Sequence, residues 1–115
     1  MRSWRFDLDS DIHAPRFVRH TVRSWLTLVA CPDDVKEDVL LFVSEVVTEG
    51  GLHGAQRVSV RVVTDDGRLR VDVHATGATP AAEGSFADRI GPVLADIWGR
   101  SDEPDGTHVW AEMLH

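Results

Sequence analysis

Two runs of alternating apolar residues joined by a short polar turn restrict this chain more than any other stretch. From Arg57 to Thr64, Val58, Val60 and Val62 alternate with polar neighbours, and from Arg68 to Thr76, Leu69, Val71, Val73 and Ala75 do the same. A period of two sets the apolar members of each run on one face of a strand. The intervening Thr64-Asp65-Asp66-Gly67 predicts a tight hairpin, because Gly67 takes a positive φ at little steric cost. A hairpin with one oily face is marginal alone in water, so the rest of the chain must extend and cover it.

The covering elements lie on both sides of the hairpin. In the stretch Val35 to Gly54, Val35, Val39, Phe42, Val43, Val46 and Val47 recur at three-and-four spacing, which predicts a helix buried along that side. Asp33 or Asp34, just after Cys31 and Pro32, is its expected cap. Ala14 to Leu28 gives a first amphipathic helix, with Phe17, Val18, Val22, Trp25, Leu26 and Val29 at helical spacing and Arg16, Arg19 and Arg23 on a solvated side. Before it, Trp4, Phe6 and Leu8 alternate with Arg5, Asp7 and Asp9 as a half-buried strand.

After the hairpin, the small residues of Ala75 to Ser85 read as a loop, and Phe86 to Trp98 carries Ile90, Val93, Leu94, Ile97 and Trp98 as a last helix. Pro92 lacks a backbone N–H, so it should start or kink that helix. Ser101 to Gly106 reads as a turn, and Thr107 to Leu114 as a closing strand. The expected architecture is one α+β domain over residues 1–115. It is a two-layer sandwich whose mostly antiparallel sheet of about four to five strands is covered on one face by about three helices.

Charge and composition narrow the partners. A formal net charge of -7 argues against nucleic acid, since neutralising phosphates needs clustered Lys and Arg, and a basic protein surface suits the chain better. No apolar run is long enough to span a bilayer, and the N-terminus shows no basic segment followed by an apolar core. The lone Cys31 forms no internal disulfide and is expected to be buried, so the cytoplasm is the expected location.

The chemistry concentrates at the end of the central helix. Glu45 and Glu49 lie one turn apart and are followed at once by Gly50, Gly51, His53 and Gly54, the pattern of a helix lining a pocket and ending at its mouth. Glu49 and His53 also have the four-residue spacing of two metal ligands, with His74 the available third; the competing reading makes His53 a helix-end residue bound to the last carbonyls. Trp25 and Trp98 are expected in the core. Trp110 shares a face with His108 and Glu112, opposite Val109, Ala111 and Met113, so it would sit on the outer sheet face as a partner or homodimer surface.

Ser44 to Gly54, SEVVTEGGLHG, resembles the SELVTNAxxHG signature of small actinobacterial ATP-binding regulators related to anti-sigma-factor serine kinases, which have the GHKL (Bergerat, histidine-kinase-like) ATPase fold. GRLRVDV, LADIWG and PDGTHVWAEM are similar to that family's later strand, final helix and final strand. The resemblance implies that Glu45 holds the place of the glutamate that orients or activates a reacting group, and that Glu49 replaces the asparagine that ligates Mg²⁺. It implies that Ala75 replaces the aspartate that binds the adenine amino group, with Gly77 kept two residues later. The family's glycine lid would fall near Ser85, Phe86 and Ala87, beside Gly84, without a glycine pair, while Gly106 and Thr107 match the element whose threonine often helps hold adenine.

These replacements have a magnitude. A second negative charge about 5 Å from a triphosphate, at an effective dielectric of about 20, costs roughly 3 kcal/mol per unit charge. Loss of the charged hydrogen bond to adenine removes about 1.5 to 3 kcal/mol. The expectation is a noncatalytic regulatory domain that needs no cofactor and binds a sigma factor or a STAS-type antagonist. The alternatives are an active serine kinase using Mg-ATP, with Glu49 as a substitute oxygen ligand, and a metal-dependent enzyme built on Glu45, Glu49 and His53.

Overall fold

The computed structural model describes residues 1–80 and 85–115; of Phe86 and Ala87 only the backbone is described, and the expected lid position Gly84 lies outside the described residues. Along the chain run β1 (Arg2–Asp9), α1 (Ala14–Leu28), α2 (Asp33–Leu52), β2 (Arg57–Asp65), β3 (Arg68–Thr76), α3 (Phe86–Leu94), β4 (Ile97–Glu103) and β5 (Gly106–Leu114). The strands form one sheet in the order β1-β2-β3-β5-β4, every neighbouring pair antiparallel. This is the expected α+β sandwich, with the helices packed on one face.

The register explains the core. Val60 pairs with Val73 and Val73 with Val109, while Val62 pairs with Val71 and Val71 with Ala111; all of them are buried. Those rows meet α2, whose Val39, Leu40, Phe42, Val43, Val46 and Val47 are buried, with α1 and α3 packed beside it. Trp4 of β1 stacks on Trp25 of α1 at 5.7 Å between ring centres, and Phe6 meets the same indole edge-on at 5.2 Å. Cys31 is buried, as expected. The hairpin turn is as predicted, with Gly67 at φ +77°.

Several expectations require correction. The central helix begins at Asp33 rather than Val35; Pro32 holds its cap position, and no side chain caps it. Asp33 and Asp34 instead occupy the first turn, where a negative charge faces the positive helix end. The last helix stops at Leu94, and Ile97 and Trp98, read as its final turn, open β4. Pro92 neither starts the helix nor stands in its middle; it lies in the last turn, and Ala95 is already extended.

The physical reason lies in Trp98, whose spacing from Leu94 fits a helix face and whose alternation with Arg100 fits a strand equally well. Trp98 pairs with buried Ala111 and Arg100 with buried Val109, so both side chains look toward the helices. A methyl group on Gly91 would come within 2.7 Å of the Trp98 ring, so α3 closes onto β4 only because residue 91 has no side chain. The expected Ser101 to Gly106 turn shrinks to Pro104 and Asp105.

Candidate functional site

The cleft lies between the C-terminal half of α2, the ends of β3 and β5, and β4. It is lined by Val46, Glu49, Gly50, His53, Ala78, Thr79, Arg100, Thr107 and Val109. Glu49 is buried there at 9% exposure, whereas Glu45, one turn earlier, is partly buried and not among the lining residues. The two carboxylates expected to act together thus have different surroundings.

At Ala75, where the resemblance implies an adenine anchor, the surroundings are hydrocarbon. Ala75 is 3% exposed and forms a small apolar cluster with Ala55 and Ala78. Its methyl group lies so near α2 that a Cβ on Gly50 would be only 3.1 Å from it. Its partner across the ladder is Thr107, itself buried. Gly77 takes φ +86° and donates its N–H to the Asp105 carbonyl at 2.7 Å, so the retained glycine turns the chain out of β3.

The mouth of the cleft is tied shut by backbone. Thr79 donates its N–H to the His53 carbonyl at 2.9 Å and its hydroxyl to the same oxygen at 3.2 Å. His53 in turn donates its own N–H to the Glu49 and Gly50 carbonyls. The helix-end reading of His53 therefore holds, through its backbone.

On the far side Ser85 caps α3 by accepting the Asp88 N–H, and it also accepts from Arg100 Nη1 at 3.1 Å. Arg100 pairs with Asp88 at 3.5 Å, both side chains being mostly buried. Arg100 escaped the sequence reading because β4 was read as helix and turn. The space enclosed by these groups admits the centre of a water-sized sphere over about 20 Å³, roughly one water molecule. Small-molecule pockets are typically about 300 to 1,000 Å³.

His74 does not join Glu49 and His53. It alternates with Val73 and Ala75, which are buried beneath α2, and so it lies on the outer face of the sheet. Trp110 is on that outer face as expected, but its ring is engaged: it lies across Gly99, and the Arg70 guanidinium stands over it at 4.4 Å.

No family model matches the chain, and no curated protein matches it. A solved structure does. The chain has the fold of part of a crystal structure described as the RsbU and RsbW domains of Rv1364c from Mycobacterium tuberculosis. The TM-score is 0.84 at 21% sequence identity, and the match covers 99% of this chain. It spans 32% of the Rv1364c chain, so this protein corresponds in length to about a third of it. At that identity the likeness to Rv1364c concerns the fold, and the activity must be argued from the cleft itself.

Proposed function

We propose that this chain is an RsbW-like regulatory domain of the anti-sigma-factor type that acts by protein contact, with a sigma factor or a STAS-type antagonist as its partner, and that it has lost the use of Mg-ATP. The observation that carries the reading is the sealing of Ala75 against Gly50, with room for about one water above it. A methyl group stands where the resemblance expects an adenine-binding carboxylate, and α2 packs closely against it. The buried Glu49 adds a negative charge where phosphates would sit, and Arg100 is already held by Asp88 and Ser85. The residues present do not fit Mg-ATP.

The kinase reading keeps one argument: Glu45, Gly77 and Thr107 are in place, and a carboxylate at Glu49 is an acceptable oxygen ligand for Mg²⁺. Ligand-induced stabilisation separates the two readings. With roughly 1 mM Mg-ATP and a Kd near 10 μM, the fold would gain about 2.7 kcal/mol. The expected result is no shift in unfolding midpoint and no labelled phosphate on a candidate antagonist, together with a measurable complex between the unmodified chain and a sigma factor or antagonist. A clear Mg-ATP shift overturns the proposal.

A further inference from the structure

On the sheet face away from the helices, the register of β3 with β5 sets His74 directly opposite His108, two histidines far apart in sequence. The turn between β4 and β5 brings two carboxylates to them. His74 Nε2 lies 3.3 Å from Asp105 Oδ1 and 3.9 Å from Glu103 Oε2. His108 Nδ1 lies 3.8 Å from the other oxygen of Glu103. The ligand atoms of His74, Glu103 and Asp105 all fall within 4.8 Å of one another.

His108 Nε2 lies 2.8 Å from Asp72 Oδ1, and Asp72 also accepts hydrogen bonds from Arg70 Nε and Nη2. His74 Nε2 is buried and has no hydrogen-bond partner among the described residues, although two carboxylates surround it. A buried nitrogen of this kind is costly to leave unsatisfied.

We propose that this outer face carries a binding site for a zinc-class divalent cation, with His74 Nε2, Glu103 and Asp105 as ligands. In a tetrahedral zinc site with bonds of about 2.0 to 2.2 Å, neighbouring ligand atoms are about 3.3 to 3.6 Å apart. The 3.3 Å from His74 to Asp105 matches that edge and the 3.9 Å to Glu103 exceeds it by a few tenths of an ångström, while the two carboxylates lie within 4.8 Å of each other. A histidine–carboxylate set suits zinc better than a hard cation. Arg5 and Arg61 border the same cleft, and Arg5 pairs with Asp7. The fourth place on the ion is left to water. The site is separate from the helix-side cleft and does not depend on the regulatory reading.

The test is equilibrium dialysis of the chelator-stripped, unmodified chain against Zn²⁺ in competition with a chromophoric chelator, with Co²⁺ as a spectroscopic substitute. One ion per chain and a raised unfolding midpoint are expected. His74→Ala should weaken binding by more than about 10-fold. Asp105→Asn, at an exposed turn, gives a loss of affinity with no folding penalty, and His20→Ala on the exposed face of α1 should leave it unchanged. Absence of stoichiometric uptake overturns the proposal, as does uptake that survives in both His74→Ala and Asp105→Asn.

Discussion

Restoring an acid at the anchor position tests whether the cleft is closed. Ala75→Asp would place a carboxyl at a site 3% exposed, among Ala55, Ala78 and the backbone of Gly50. An ionised carboxylate there has lost its water, and the cheaper course is to remain protonated. Holding an aspartic acid neutral at pH 7 costs about 1.4 kcal/mol for each of roughly three pH units above its ordinary pKa near 3.9, or about 4 kcal/mol. At pH 5 the same term is about 1.5 kcal/mol.

The sign follows from linkage. A folded-state pKa raised above the unfolded one leaves stability intact below the unfolded value and removes it as pH rises toward the folded value. Urea denaturation at both pH values should therefore show a deficit of about 4 kcal/mol at pH 7 that shrinks by about 2.5 kcal/mol at pH 5. Ala75→Val supplies the control, since its crowding against Gly50 carries no pH dependence. A deficit below about 1 kcal/mol at pH 7 would mean that the carboxylate has found water or a partner. The sealed-cleft argument would then fail.

Three further outcomes follow from the packing. Gly91→Ala should destabilise the fold by about 1 to 2 kcal/mol in chemical denaturation, because displacing the Trp98 indole outweighs the roughly 1 kcal/mol gained in helix propensity. Burial pushes the Cys31 thiol above its ordinary range, so stability should fall as pH rises above about 9, where the unfolded thiol ionises and the buried one does not; urea titrations across that range would show it. The same burial should limit alkylation of Cys31 near neutral pH to the rate of opening, with rapid reaction in denaturant.

Much of the fold was legible because the periodicities were clean. The limits of α1 are those read from Ala14 to Leu28, and the hairpin turn was marked by Gly67. The strand β4 was hidden because Leu94, Ile97 and Trp98 satisfy a helical spacing, and the reversal between them depends on a contact between Gly91 and Trp98 that no local pattern encodes. Arg100 was lost with that strand. His108, in turn, has no metal-ligand spacing to any histidine in the sequence; only the β3–β5 register places it opposite His74. Ala75 was locatable from the resemblance, but its seal against Gly50 was not.

The sheet order leaves β1 and β4 as the outermost strands, and both are armoured. Arg2, Arg5, Asp7 and Asp9 stud one rim, and Asp102 and Glu103 the other. Charged rims discourage a foreign strand from zipping on by main-chain pairing. Whatever docks on this domain must therefore be gripped by side chains from the helical layer, the loops or the flat outer surface. Its selectivity then resides in shape and charge, with no contribution from continuing the ladder.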